Sequence, residues 1–389
     1  MSIAPIRAAL PGLLVIGLVV LPEPAQAQLG GFGRKIKERV QAGSRPADAA
    51  AAAADPAASA SVRAGGREVW ANYDFIPGQR TLFYLDFTDE EVGNFPRRLE
   101  FKTGSMEVVE LDGQRALKAA SPSGFVIPLP EVLPQRFTVE IDVINRNDRS
   151  TAAPTIKIYG GTAARTDVDV ERTRLAFGHN GWDVTGGGTE TQANFTSEET
   201  DAYMGHPVSV RVLGDGAYLK LYADGRRLAN VPNANFMRGR GLFVALEGRD
   251  GETGAVYVTR IRVAESEKSV YDALMAAGRW ATQGIFFDTG KASLRPESAP
   301  TLKAIAAALS QHPDLRIRIE GHTDNIGDAA ANLALSEARA RAVKDALVRA
   351  HAVAADRIET AGLGDTNPAA DNGTAEGRSS NRRVEVVKL

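Results

Sequence analysis

Cysteine is absent from the 389 residues, which excludes disulfides, thiolate metal sites, a cysteine nucleophile and a lipid-modified N-terminal cysteine. Neither sign of charge is in excess. The 46 basic and 48 acidic side chains leave a net charge of −2, without the basic field that a binder of phosphate backbones requires. Nucleic acid is therefore not an expected partner. Only five histidines occur, and His312, His322 and His351 have no partners at metal-ligand spacing, so no metal and no other cofactor is expected. Aromatic residues make up 6%, too few for the girdles of a membrane barrel.

Long apolar runs are scarce as well. Ala8–Leu21 follows the positive Arg7 and is too short for a comfortable membrane span. Ala25–Ala27 (AQA) fits the small-x-small cleavage rule. Residues 1–27 are expected to be a signal peptide removed after Ala27, and Pro11, Pro22 and Pro24 interrupt or end the run in keeping with that. The alternative is an uncleaved signal anchor, which would tie the chain to an inner membrane as a stator-type structural protein. Residues 28–69 are Ala- and Gly-rich low complexity, with too little apolar bulk to offset the entropy of ordering. As a flexible coil this spacer would span on the order of 35 Å.

Residues 70–265 read as all β. Val139, Ile141 and Val143 alternate with Thr138, Glu140 and Asp142, the period of a strand with one buried face. Similar runs include TLFYLDF, GSMEVVEL, PTIKIYG and VSVRVLG, and Asp224-Gly225 between two of them signals a hairpin turn. Short strands at regular spacing predict a two-sheet sandwich. From residue 266 the pattern changes. Ile285–Asp288 reads as a strand, Pro296–Ser310 as a helix, LRIRIEG as a strand and Asn332–Ala350 as a helix starting near Asp328–Asn332. DRIETAGLG and NRRVEVVKL supply two more strands, so the order βαβαββ predicts a small sheet with two helices on one face. The fold class is multidomain α+β, a jelly-roll-like sandwich over 70–265 followed by a compact domain over 266–389.

Within that second region, Gly321–Val343 (GHTDNIGDAAANLALSEARARAV) places Asp324 in a strand-to-helix loop, where open α/β architectures put ligands. Arg339 falls nearly two turns into the following helix, and its side chain can reach back toward the helix start. Two readings are open. The pair can form a salt bridge with each other, or together hold a ligand that carries an ammonium and a carboxylate.

The segment from Ile285 to Leu389 resembles the OmpA-like peptidoglycan-binding domain shared by OmpA, Pal and MotB-type proteins. The resemblance rests on IFFDTGKASLRPES, on the TD-x-x-G, Asn332, Leu335-Ser336 and Arg339-Ala340 of the central stretch, on AGLGDTNP, and on NGTAEGRSSNRRVEVV. It implies that Asp324 takes the ammonium and Arg339 the carboxylate of diaminopimelate in peptidoglycan stem peptides. Thr323 and Asn332 match supporting loop positions, and Phe287, Asp288 and Thr289 match a facing loop. Arg383 matches a further contributor, although pairing with Glu385 is an equal alternative. Gly327 is expected to serve the backbone turn, and His322 loop packing with a hydrogen bond.

Phe137–Asn145 (FTVEIDVIN) resembles the E-x-D-x-x-E strand of concanavalin-like glucanases, with Glu140 and Asp142 in the first two places. Asn145 stands in the third, and an amide cannot deliver the leaving-group proton. The plainer reading is a sheet edge with polar residues outward, and no enzymatic activity is expected. A wall- or glycan-directed hydrolase would need another acid pair. GLFVALEG and AVYVTRIRV make the region similar to laminin-G or concanavalin-like jelly rolls, so a glycan or protein ligand is conceivable for it. Trp182, expected on a loop, could stack on a sugar, and Thr166–Glu171 (TDVDVE) lacks a defined calcium spacing. The expected whole is an exported, non-catalytic protein of a Gram-negative-type envelope, periplasmic and wall-associated, with outer-membrane association left open.

Overall fold

Alternation of apolar and polar residues between Thr81 and Glu265 produces two antiparallel sheets in the computed structural model, which describes residues 72–146, 155–161, 173–178, 180–186, 188–249, 254–266 and 269–389. The signal segment, the spacer and the acidic stretch 166–171 lie outside the described residues. The first sheet runs β13-β12-β11-β6-β15-β4-β3, with β1 also paired to β15. These strands are β1 (Arg80–Leu85), β3 (Met106–Leu111), β4 (Gln114–Ala119), β6 (Arg136–Asn145), β11 (Pro207–Asp215), β12 (Tyr218–Ala223), β13 (Arg226–Val231) and β15 (Val256–Glu265). The second runs β10-β9-β8-β7-β14-β5-β2, from β2 (Glu100–Thr103), β5 (Pro122–Pro128), β7 (Ile156–Gly160), β8 (Arg174–Gly178), β9 (Gly181–Gly186), β10 (Thr189–Asn194) and β14 (Gly241–Glu247). Helix α1 (Ser197–Ala202) follows β10, with Thr196 and Glu199 forming a reciprocal capping box.

The sheets share one apolar core. Val139, Ile141, Val210, Val212 and Val258 of the first meet Phe125, Ile158, Leu175, Val244 and Leu246 of the second. Asp224 and Gly225 both take positive φ, 42° and 77°, the primed turn that joins β12 to β13.

Two sequence expectations are corrected here. β6 is not an edge: it lies between β11 and β15, and Glu140 and Asp142 are buried, because arginines on both neighbouring strands neutralise them. Trp182 lies on β9, partly buried against the core, and not on a loop.

A strap of chain, Tyr73–Gln79, crosses the outer face of the first sheet. Tyr73 and Phe75 set their rings edge-on to Tyr222, with centroids 5.6 and 5.4 Å away. Gly78 donates its N–H to Thr138 Oγ1 at 2.9 Å and accepts from Arg262 at 2.6 Å. Between these points Ile76 turns away and packs against the other apolar core, formed by residues 270–386.

That other core is built from α2 (Val270–Ala277), β16 (Arg279–Thr282), α3 (Ala299–Gln311), β17 (Ile317–His322), α4 (Ala329–His351), β18 (Ile358–Gly364), α5 (Ala375–Asn381) and β19 (Val384–Lys388). The sheet order is β16-β19-β17-β18, with β17 and β18 parallel and the other pairs antiparallel. The expected strand at Ile285–Asp288 is not one. Phe287 makes only an isolated bridge to Leu294, and the first strand is the earlier RWAT, whose Trp280 and Thr282 face inward. Gly284 explains the departure: a Cβ there would lie 2.4 Å from Thr301 Oγ1 and 3.0 Å from Pro77 Cδ, so the chain leaves the sheet where it must squeeze between helix and strap. Helices α2 and α5 were not anticipated. Among the described residues no helix is long and apolar enough to cross a membrane.

Candidate functional site

β17 ends at His322 and α4 begins at Ala329, so Thr323–Asp328 form the loop at the mouth of the sheet. Thr323 N–H donates to Gly364 O at 2.9 Å, tying the loop to the end of β18. Asp324 Oδ1 accepts from Ile326 N–H at 3.2 Å, an Asx turn, and Gly327 provides a φ of 97°. Asp328 caps α4 by accepting from Ala331 N–H at 2.9 Å. Asn332 donates Nδ2 to Asp324 O and Ile326 O, at 3.3 and 3.1 Å. These contacts together define the shape of the loop.

Close packing fixes the helix behind it. A Cβ on Gly321 would lie 2.3 Å from Ser336 O, and one on Gly362 would lie 2.4 Å from Glu337 N. Two bare backbones on β17 and β18 therefore let α4 sit directly on the sheet. Ser336, fully buried, donates Oγ to Leu333 O and accepts from Gly364 N–H at 2.8 and 2.9 Å.

α4 starts earlier than Asn332, so Arg339 lies about three turns in. Its guanidinium carbon stands 4.9 Å over the Phe287 ring, a cation–π contact, and its Nε donates to Lys291 O at 3.0 Å. Of the three residues matched to a facing loop, Phe287 is the one set against Arg339. Their loop is closed by Asp288 N–H to Ser293 O and by Lys291 N–H to Asp288 O, at 3.1 and 2.9 Å. The guanidinium on Asp324 comes from Arg382, whose NH1 lies 2.7 Å from Oδ2. Sequence reasoning named its neighbour Arg383 and not Arg382.

Arg383 points elsewhere. It is buried, with Nε and NH2 on Glu385 Oε1 at 2.7 and 2.6 Å, and it donates to Asn367 O at 3.1 Å. The signal was available: residues two apart on a strand share a face, so Arg383 belongs with Glu385 and Arg382 with the opposite side. His322 also departs from expectation. It ends β17, and neither ring nitrogen finds a hydrogen-bond partner. Burial, with the Arg383 guanidinium second, lowers its pKa to about 4. Glu320, His322 and Glu385 bring ligand-type atoms within 4.8 Å of one another, but Arg318, Arg383 and Arg279 already occupy the two carboxylates. A divalent cation would have to face three guanidiniums, so the cluster is not a metal centre.

The acid pair of β6 is likewise committed. Glu140 takes Arg262 at 2.6 Å, and Asp142 takes Arg211 and Arg260, each at 2.7 Å. Burial pushes both carboxyls up, but the arginines outweigh it, leaving Glu140 below its usual range and Asp142 at about 2. A carboxylate held ionised cannot donate a leaving-group proton at neutral pH.

Comparison with known proteins picks out the C-terminal region. Residues 286–382 match the OmpA family. Over 100 residues the chain is 47% identical to the outer membrane protein Omp38 of Acinetobacter baumannii, a match covering 26% of this chain and 28% of that one. Over 103 residues it is 48% identical to the peptidoglycan-binding protein ArfA of Mycobacterium tuberculosis, covering 26% and 31%. Among solved structures, the peptidoglycan-associated lipoprotein from Burkholderia pseudomallei is 32% identical over 27% of this chain and 88% of that chain, with a TM-score of 0.25. The chain spans less than half the length of these curated relatives. Carried by the loop, helix and strand elements described above, residues 286–382 are an OmpA family domain behind a mostly β region.

Proposed function

We propose that this is an envelope protein whose C-terminal region, residues 266–389, grips peptidoglycan noncovalently through the diaminopimelate end of stem peptides. Asp324 receives the ammonium and Arg339 the carboxylate. The carrying observation is that each side chain is preorganised, Asp324 in the β17–α4 loop and Arg339 against the loop of Phe287 and Lys291. Asp324 is oriented by Arg382 and by the Asn332-held loop, and Arg339 by the Phe287 ring and Lys291 O. Preorganisation lowers the ordering cost of binding. Thr323, Asn332, Asp288 and Thr289 shape the two loops, and Arg383 supports the sheet beneath them. The relative named as peptidoglycan-binding supports the same reading.

Each charge-assisted contact is worth about 2 kcal/mol, roughly thirtyfold in affinity, so a single stem peptide is held modestly and a polymer with many is held well. The chain is exported, resides in the periplasm on the wall, and acts without catalysis. The β region is the module brought to the wall, with a glycan or protein ligand of its own.

The test is co-sedimentation of the full mature chain with diaminopimelate-type sacculi. Wild type pellets with the wall, while Asp324→Ala and Arg339→Ala stay in the supernatant. A folded wild type that remained soluble would end this reading.

A further inference from the structure

The Asp324 loop is not held by its own domain alone. α5 has seven residues, too few for a helix to persist without outside contacts. Thr374 caps it, accepting from Gly377 N–H at 3.0 Å, and the β region supplies the rest of the first turn. Asp89, between β1 and β2, accepts from Ala375 N–H at 3.1 Å and lies 3.6 Å from Arg378 NH2. Arg98 reaches Glu376 Oε2 at 2.6 Å. Arg98 is itself fixed, donating to Tyr84 O at 2.8 Å with its guanidinium carbon 5.0 Å over the Phe83 ring.

Two polar chains lead from α5 to Asp324. Arg378 donates to Asn372 O at 3.1 Å, and Asn372 Oδ1 accepts both Asn381 Nδ2 at 2.8 Å and Asn325 N–H at 3.3 Å. At the other end of α5, Arg382 places NH1 on Asp324 Oδ2. Both residues flanking the 324–325 peptide are thereby referenced to one short helix.

We infer that Asp89 and Arg98 are positioning residues for the wall-binding site: by clamping α5 they set where Arg382 and Asn372 hold the Asp324 loop. The inference rests on the reading of Asp324 as the ammonium receptor. It assigns the β region a role in wall recognition without contact to the ligand. Anything that displaces the Asp89 segment changes the affinity for the wall, and wall binding acts back on that segment to the same extent.

Contiguity alone does not establish coupling, so the experiment measures it. The full mature chain is titrated calorimetrically with the stem tripeptide ending in meso-diaminopimelate, and the melting temperature of each variant is recorded. Asp89→Ala and Arg98→Glu each weaken binding three- to tenfold with the fold retained, and Arg98→Glu combined with Glu376→Arg returns the affinity to within twofold of wild type. Restoration by charge exchange separates positioning from general loosening. If Asp89→Ala melts early, Asp89→Asn, which keeps the acceptor for Ala375 N–H, replaces it and weakens binding less than Arg98→Glu. Variants that bind like wild type while Asp324→Ala loses binding overturn the inference and leave the wall reading intact. Weakened binding that the charge exchange does not restore also overturns it. An Asp324→Ala chain that binds like wild type overturns the wall reading itself.

Discussion

Substituting Glu140 by Gln tests whether the charges under the strap are a structural necessity. Glu140 and Arg262 are each 2% exposed, and their contact is 2.6 Å. Without the carboxylate, Arg262 retains only neutral acceptors, the new amide oxygen at position 140 together with Gly78 O and Thr81 Oγ1. The patch would then hold three guanidiniums against Asp142 alone. Breaking a buried pair by removing one partner costs about 3–5 kcal/mol, which for a unit of this size lowers the melting temperature by roughly 6–20 °C. The control is Asp345→Ala, which removes the partner of Arg349 on the surface of α4, where the side chains are 59% and 80% exposed. That pair is worth about 0.3–0.5 kcal/mol, and its loss shifts the transition by about 2 °C or less. Thermal unfolding followed by circular dichroism compares the two. A Glu140→Gln transition within 3 °C of wild type would refute the reasoning, because it would mean that Arg262 finds water or another partner in a place the packing denies it.

Gly362→Ala drives a methyl into the Glu337 backbone and should cost about 1–3 kcal/mol; because it displaces α4, stem-peptide affinity falls as well, and unchanged affinity would separate helix seating from Arg339 placement. Asn381 is fully buried, accepting from Ala369 and Ala370 N–H and donating to Ala370 O and Asn372 Oδ1, so Asn381→Ala should cost about 3 kcal/mol and speed amide exchange at Ala369 and Ala370. His322 titrates near 4 in the folded chain against about 6.5 unfolded, so its neutral ring contributes stability above pH 6.5 that is lost as the pH falls toward 4, about 3 kcal/mol in all. His322→Gln should flatten that acid-side decline in denaturant unfolding, and an unaltered pH profile would assign the decline to other groups.

Local chemistry was legible wherever neighbours in sequence decide the outcome. The backbone turn at Gly327, the start of α4 near Asp328 and the Asp224-Gly225 turn follow from residues within a few positions of one another. Strands with one apolar face, such as Thr81–Leu85 and Val208–Val212, were equally readable. The misses share a different cause. β6 looked like an exposed strand because the arginines that neutralise Glu140 and Asp142 sit at positions 211, 260 and 262, beyond any sequence window. β8, β9 and β10 carry Gly, Thr and Gln in place of clean alternation, so their pairing depends on register with β7. Asp324 and Arg339 were singled out from their spacing and from the resemblance, whereas Arg382, which pairs with Asp324, was not. Arg383 carried two readings from sequence, and strand alternation is the signal that pairs it with Glu385.

The strap has a mechanical consequence. Ile76 anchors in the core of residues 270–386, while Tyr73, Phe75 and Gly78 anchor on the first sheet, and the covalent connection leaves the sheet at Glu265 toward Val270. Tension between a wall-bound C-terminal region and the β region is therefore shared between the covalent β15–α2 connection and noncovalent ties, the seat of Ile76 and the Asp89 and Arg98 contacts to α5. Separating the two bodies requires extracting Ile76 and breaking the Asp89 and Arg98 contacts to α5 in addition to extending the connection, so under pulling they should part in a distinct first event at lower force than the unfolding of either core.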